Sequence, residues 1–413
     1  MPGPTLQTLD RRRLRTAAQR RRRRRLSAIV GVAVLALVLG GTAWAVFSAT
    51  ERGVAEIAAP TPAGGSAPAS SSPATEAPAA TATTTPASAG TAHSRPATLT
   101  VAAVGDMIFD RGVETLIGKS GGEAPLARVA HRLGAADLTI GNLESPLSDG
   151  GKKNATKDVT FRGDPRAIDG LTAAGFDFLS IANNHVLDYG PVALSDTVKA
   201  LDGAGIGHAG AGANQAAAWK PAVVETGDAS TAYLAFSFIV PAGFIAQADR
   251  PGMASGRWDM SLIEKAIKKA KRTHDYVIVS FHWGVEYKDN ANSQQVAVAH
   301  RCIDAGADMV LAHHPHVIQG LEIYKKRLVA YSLGDFVFDH YSRKTGESFI
   351  LNADLGPKGV ANIKVTPTYL DSYGRPEVVT GAEADAILSR LKKISAPHGT
   401  TLVIHGDTAT VKP

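Results

Sequence analysis

The sequence predicts an α/β layered domain, and three observations carry that expectation. From Thr98 onward, short apolar runs rich in β-branched residues alternate with stretches whose apolar residues recur at helical spacing. The helical stretches carry start and stop signals, such as Asp164-Pro165 before one of them and Gly175 after it. Six of the apolar runs end on Asp, Glu, Asn or His, and in open α/β sheets the carboxyl edge of the strands is where ligands bind.

Residues 1–25 hold ten arginines against one acid, Asp10, which exceeds the net charge of +6 for the whole chain. The remainder is therefore slightly acidic, and the basic balance gives no reason to expect nucleic-acid binding. Residues 26–49, "LSAIVGVAVLALVLGGTAWAVFSA", carry no charge over a length that spans a bilayer as a helix. With the arginines held in the cytoplasm, this predicts a single-pass anchor in the cell membrane and an extracytoplasmic main domain. A cleaved signal peptide, with "AWA" at 43–45 as its cleavage site, is the alternative, and it sends the domain to the same side. Residues 50–97 are dominated by Ala, Pro, Ser and Thr. From 58 on they lack aromatic and large aliphatic side chains, so they are expected to form a disordered tether.

The domain is expected over 98–355. Its strands are "LTVAAV" (99–104), "LTIG" (138–141), "FDFLSIA" (176–182), "YLAFSFI" (233–239), "YVIVSF" (276–281), "DMVLA" (308–312) and "RLVAYSL" (327–333). "DPRAIDGLTAAG" predicts a helix with Asp164 as N-cap and Pro165 at its first position; "GPVALSDTVKALDGAG" repeats the arrangement. "SLIEKAIKKAKR" and "QQVAVAHRCIDAGA" are amphipathic helices, and Cys302 inside the second is a small core residue. Being the only cysteine, it excludes an intrachain disulfide and a thiolate metal site. Residues 356–413, with weaker strands and the helix "AEADAILSRLKK", are expected to extend the same domain.

The strand ends supply Asp106; Asn142 and Glu144; Asn183, Asn184 and His185, with Asp188 beyond; His282; His313, His314 and His316; and Asp335. Each alone has an ordinary structural explanation, but six at corresponding positions point to a common site. Carboxylate and amide oxygens mixed with imidazole nitrogens suit Mn, Fe or Zn as divalent ions. The inventory is about what two ions need. Asp339, Glu286, Trp283 and Tyr287 fall near the same edge, the two aromatics as cleft walls or as packing.

The ordered set Gly-Asp, Gly-Asn-x-Glu, "ANNHVLDYG", "SFHWGVEY", "AGADMVLAHHPHVIQG" and "YSLGDFVFD" resembles the capsule-synthesis (CapA-type) poly-γ-glutamate family, over roughly 98–340. That family is a branch of the calcineurin-like metallophosphoesterases. The resemblance implies a layered β-sandwich flanked by helices and two divalent ions. Carried over, Asp106, Glu144, Asn184, His282, His313 and His316 become metal ligands. His185 becomes the acid on the leaving group, with Asp188 orienting it. Beside that carry-over, Asn142 and His314 are candidate substrate contacts, although the spacing allows either His313 or His314 as the ligand. Arg162 in "FRGDP" is a contact to an anionic substrate or else a surface or salt-bridged arginine. The sequence departs from the pattern at Ile108, where a metal-binding histidine would stand, and at Glu144, one methylene longer than the usual aspartate.

The expected function is thus a membrane-anchored protein of capsule or envelope-polymer biosynthesis with a metal-dependent phosphoesterase-like site. The alternative is a non-catalytic accessory subunit that binds or exports the polymer. The expected partners are an anionic polymer or phosphoester, the membrane and other polymer-synthesis membrane proteins.

Overall fold

The computed structural model describes residues 97–257 and 259–412. The arginine-rich segment, the expected membrane anchor and nearly all of the expected tether lie outside the described residues. Among those described, no helix is long and apolar enough to cross a membrane.

In chain order the first elements are β1 (Leu99–Met107), α1 (Arg111–Ser120), α2 (Ala130–Leu133), β2 (Leu138–Leu143), α3 (Ala167–Ala173), β3 (Phe178–Ser180), α4 (Gly190–Ala204) and β4 (Gly207–Ala209). They continue with β5 (Ala211–Gly212), α5 (Gln215–Ala218), β6 (Ala222–Thr226), β7 (Ala229–Ser237), β8 (Gly252–Met253), α6 (Met260–Lys271), β9 (Tyr276–His282) and α7 (Ser293–Asp304). Then come β10 (Met309–His313), β11 (Leu321–Tyr324), β12 (Arg327–Ala330), β13 (Asp335–Val337), α8 (Arg343–Gly346), β14 (Glu347–Gly356) and β15 (Gly359–Leu370). The chain ends with β16 (Pro376–Val378), α9 (Gly381–Ser395), β17 (Thr401–His405) and β18 (Thr408–Lys412).

Two mixed sheets stack face to face. One is ten-stranded, with the path β17-β18-β15-β14-β1-β2-β3-β4, β13 beside β1 and β16 beside β15; the other runs β11-β12-β10-β9-β7-β6. The alternation of strand side chains explains the layering. Val101 and Ala103 of β1 face inward with Ile140, Phe178, Tyr233, Ile278 and Leu311, which form the core between the sheets. Ala102 and Val104 face outward and meet Ile117 of α1, Leu171 of α3 and Leu201 of α4. On the far side, Val277 and Phe281 of β9 meet Ile263 and Ile267 of α6, and Val298 and Cys302 of α7. Strands covered on both faces read as continuous apolar runs, and burying each large aliphatic or aromatic side chain contributes about 1.5–3 kcal/mol.

Several boundaries differ from the sequence reading. The runs at 99–104 and 138–141 extend to Met107 and Leu143, which brings Asp106 and Asn142 into strands. The expected helix after Asp164 begins at Ala167. Asp164 Oδ1 instead accepts the Arg166 N–H at 2.8 Å and caps the turn before it. The run 327–333 leaves the sheet after Ala330, where Ser332 Oγ donates to Val317 O at 2.8 Å and Gly334 turns the chain at φ +71°. After residue 356 the strands are stronger than expected, because β15 pairs along β14 and carries β16 and β18 on its other side.

Candidate metal centre

The carboxyl ends of β1, β2 and β3 and the first residue of β13 in one sheet meet the carboxyl ends of β9 and β10 in the other. In β1 and β13 the approach depends on paired Gly-Asp steps. A Cβ on Gly105 would lie 1.8 Å from Gly334 O, so only glycine fits there. Asp106 N–H then donates to Gly334 O at 2.9 Å, and Asp106 stands in register with Asp335. In the second sheet, His282 and His313 are register partners on β9 and β10.

Asp106 joins the sheets. Its Oδ2 accepts the backbone N–H of His314 at 3.0 Å, and its Oδ1 accepts Asn142 Nδ2 at 2.8 Å. Asn142 Oδ1 in turn accepts from Asn183 Nδ2 at 3.3 Å, and Asn183 also donates to Leu143 O at 2.8 Å. Asn142, expected to touch substrate, is fully buried, and these contacts make it a brace for Asp106.

Glu144 lies at the centre. Its Oε1 is 3.5 Å from His282 Nε2, 3.9 Å from His316 Nε2 and 4.0 Å from His185 Nε2. Glu144, His314 and His316 form one trio whose ligand atoms all lie within 4.8 Å of one another; Asp106, Glu144 and His282 form another; Asp106, His316 and Asp335 form a third. His314, expected to face substrate, thus belongs among the ligand candidates. His313 Nδ1 is 3.3 Å from Asp106 Oδ1. His282 Nε2 lies 2.7 Å from Asn184 Oδ1.

Carboxylates fix the tautomers of two histidines. His316 Nδ1 donates to Asp335 Oδ1 at 2.8 Å, and His185 Nδ1 donates to Asp188 Oδ2 at 2.5 Å. Each ring therefore turns its Nε2 toward Glu144, the arrangement by which outer carboxylates orient metal-binding imidazoles. Burial lowers His185 to about 4, against the pull of Asp188, and lowers His314 to about 3. Burial also opposes charge on His316, but Asp335 and Glu144 outweigh it and hold that ring well above the ordinary value. Burial and the neighbouring Asp106 push Glu144 well above the carboxylate range, and burial raises Asp335 to about 6.

Unpartnered atoms test whether a metal fits. Both Glu144 carboxylate oxygens, both ring nitrogens of His313, and Nδ1 of His282 and of His314 are buried without a hydrogen bond. Each buried unpaired polar group costs about 1–3 kcal/mol, and more when charged. Divalent cations would satisfy this oxygen-and-imidazole set, so the residues fit the group. Ile108 contributes nothing to it. Its side chain is fully buried with Phe161, Phe338 and Leu370.

Three residues around the site were not assigned roles by sequence reasoning. Asp335 was placed only near the edge. Phe161 packs against His185 with the rings tilted and their centroids 4.2 Å apart. Lys157 Nζ ion-pairs with Asp188 Oδ1 and donates to Asn184 O at 2.5 Å, with only 14% of its side chain exposed. In the sequence, "GKKNATKDV" reads as a solvated loop, and nothing local distinguishes Lys157 from Lys152 or Lys153. Arg162 is exposed and lies over the Tyr189 ring at 4.7 Å. Trp283 is core packing, stacked on Phe281 at 4.6 Å, whereas Tyr287 and Glu286 are exposed.

Comparison with known proteins gives a match to the family described as "Bacterial capsule synthesis protein PGA_cap" over residues 100–340. The chain is 35% identical over 289 residues to a capsule biosynthesis protein CapA of Bacillus anthracis, covering 69% of this chain and 70% of that one. It is 32% identical over 271 residues to a PGA biosynthesis protein CapA of Bacillus subtilis, covering 65% and 71%. Among solved structures, TT1561 of Thermus thermophilus aligns over 62% of this chain and 94% of its own, at 13% identity and a TM-score of 0.36, too loose a likeness to carry an argument.

Proposed function

The chain belongs to the bacterial capsule synthesis protein family, and from that premise we propose that it is a metal-dependent phosphoesterase-like enzyme of envelope-polymer assembly. The observation that carries this reading is the set of buried, unpartnered donor atoms on Glu144, His282, His313 and His314. Asp106, Glu144, Asn184, His282, His314 and His316 would hold the ions, with His313 beside Asp106. Bound divalent ions lower the pKa of water and neutralise charge developing on phosphoryl oxygens.

The protein's own groups complete the chemistry. His185 Nε2 would deliver a proton to the leaving oxygen, while Asp188 fixes the tautomer through Nδ1 and stabilises the ring when it becomes charged. Lys157 ion-pairs with Asp188 and holds it in place, and Phe161 covers one face of the His185 ring. The arginine-flanked apolar segment 26–49 supports a single membrane anchor with the domain outside the cytoplasm. An anionic polymer or phosphoester is the partner that this setting supplies.

Ile108 favours a second reading, an accessory subunit that binds polymer without turnover, because it removes one ligand from the expected set. Metal content by mass spectrometry of the full chain, with hydrolysis of a generic phosphodiester in Mn²⁺, separates the two. Close to two ions per chain with turnover supports the enzyme. One ion or none, without turnover, supports the accessory subunit.

A further inference from the structure

Among the described residues seven non-glycine positions adopt positive φ, and four of them ring the metal centre: Arg111 (+56°), Tyr287 (+62°), His314 (+98°) and His316 (+56°). Such conformations cost about 1–3 kcal/mol each and persist where the surroundings impose them. The two histidines belong to the cluster. Arg111 and Tyr287 do not, so their strain has another source.

Arg111 opens α1 directly after Asp110, whose Oδ1 accepts the Arg111 N–H at 2.7 Å. The strained backbone directs the side chain back across Phe161, with Cζ 4.7 Å from that ring's centroid. His185 packs against the same ring at 4.2 Å. The guanidinium is therefore one aromatic ring away from the group that faces Glu144. Its Nη1 donates to Asp339 Oδ2 at 2.9 Å and to the Tyr341 hydroxyl at 2.7 Å. Among the described residues no partner takes its Nη2 or Nε donors, and the side chain is 35% exposed. Tyr341 is 72% exposed, and Tyr287, 54% exposed, sets its ring 6.2 Å from that of His316.

We propose that Arg111, steadied by Asp339 and Tyr341, forms a subsite for a carboxylate carried by the substrate next to the group bound at the metal cluster, with Tyr287 flanking the cleft. The planar guanidinium fork matches a carboxylate bidentately. Asp339 and Asp110 already place negative charge beside it, which favours a monoanion over a second phosphate. The inference rests on reading the cluster as a metal site for phosphoesters, and it adds a second recognition element that the metals do not provide.

The test is equilibrium binding to the metal-loaded full chain of three probes: glycerol 3-phosphate, 3-phosphoglycerate and propane-1,3-diol bisphosphate. The expected result is about tenfold tighter binding of 3-phosphoglycerate than of glycerol 3-phosphate, the size of one charge-assisted contact. Arg111→Gln is expected to bring the two within about twofold, with metal content unchanged. Equal affinities in the unaltered protein, or a ratio that survives Arg111→Gln, overturn the subsite and leave the metal reading standing. Bisphosphate binding tighter than phosphoglycerate overturns the carboxylate assignment. Failure of every probe to bind the metal-loaded chain overturns the phosphoester reading and the subsite with it.

Discussion

Glu144→Gln tests whether the cluster is built for cations. In the metal-free chain, Glu144 is a fully buried carboxylate with neither oxygen hydrogen-bonded, and Asp106 and Asp335 are buried beside it. Burial and Asp106 already favour its neutral form, so exchange for a neutral amide of nearly the same shape relieves the remaining repulsion and leaves unmet amide groups that cost about 1–3 kcal/mol. The two changes oppose each other, so the chelated variant should melt within a few degrees of the chelated parent. Metal should separate them. An ion at a free concentration of about 100 times its Kd stabilises the parent by ~2.7 kcal/mol. At roughly 2 °C per kcal/mol for a domain of this size, that is about 5 °C. The variant, having lost a group shared by two ligand trios, should gain little. Differential scanning fluorimetry of the full chain in chelator and in Mn²⁺ reads all four states. Equal melting of the parent with and without metal would refute the reasoning. So would a chelated variant far less stable than the chelated parent, because Glu144 would then have a structural role.

Asp106→Ala and His316→Ala should each lower metal content measured by mass spectrometry; if both leave it unchanged, the ligand assignment is wrong. Gly105→Ala should cost more than ~4 kcal/mol or prevent folding, read by circular dichroism and denaturant melts, because its Cβ would meet Gly334 O. Lys157→Met should lower stability by about 2–3 kcal/mol, since Asp188 loses a charged partner in a largely buried setting. Kinetics with a phosphodiester should show kcat falling more than KM rises, while an unchanged kcat would limit Lys157 to holding its loop.

The sequence announced the layers because strands buried on both faces must be continuously apolar, as 276–281 and 308–312 are. It also marked the candidate donor set, because Asp106 lies at the end of β1, Glu144 follows β2, His282 ends β9 and the 313–316 histidines lie at and just beyond the end of β10. What it concealed was set by contacts distant in sequence. Asp335 and Asp106 are register partners 229 positions apart, and only the β1–β13 pairing shows that one aspartate orients His316 while the other ties the sheets together. His313 and His314 could not be distinguished by spacing. The left-handed backbone at His314 decides which ring joins Glu144 and His316, and composition carries no trace of that turn. Lys157 was hidden for a similar reason, since a lysine in a polar loop becomes a buried partner of Asp188 only after the loop folds back.

Ile108 poses the sharpest question about this site, and its surroundings suggest an answer. Its neighbours Phe161 and Phe338 are the rings that cover His185 and His316, Phe338 lying 5.0 Å from the latter. The position expected to donate a ligand has become part of an apolar floor beneath two histidines, which excludes water and strengthens the electrostatics above it. Ile108→His would put a polar ring into that floor at a cost of about 2–4 kcal/mol, from lost apolar burial and an unmet nitrogen. If the new ring reaches a bound ion, added Mn²⁺ should recover more melting temperature in the variant than in the parent. If the loss is the same with and without metal, position 108 does not address the ions.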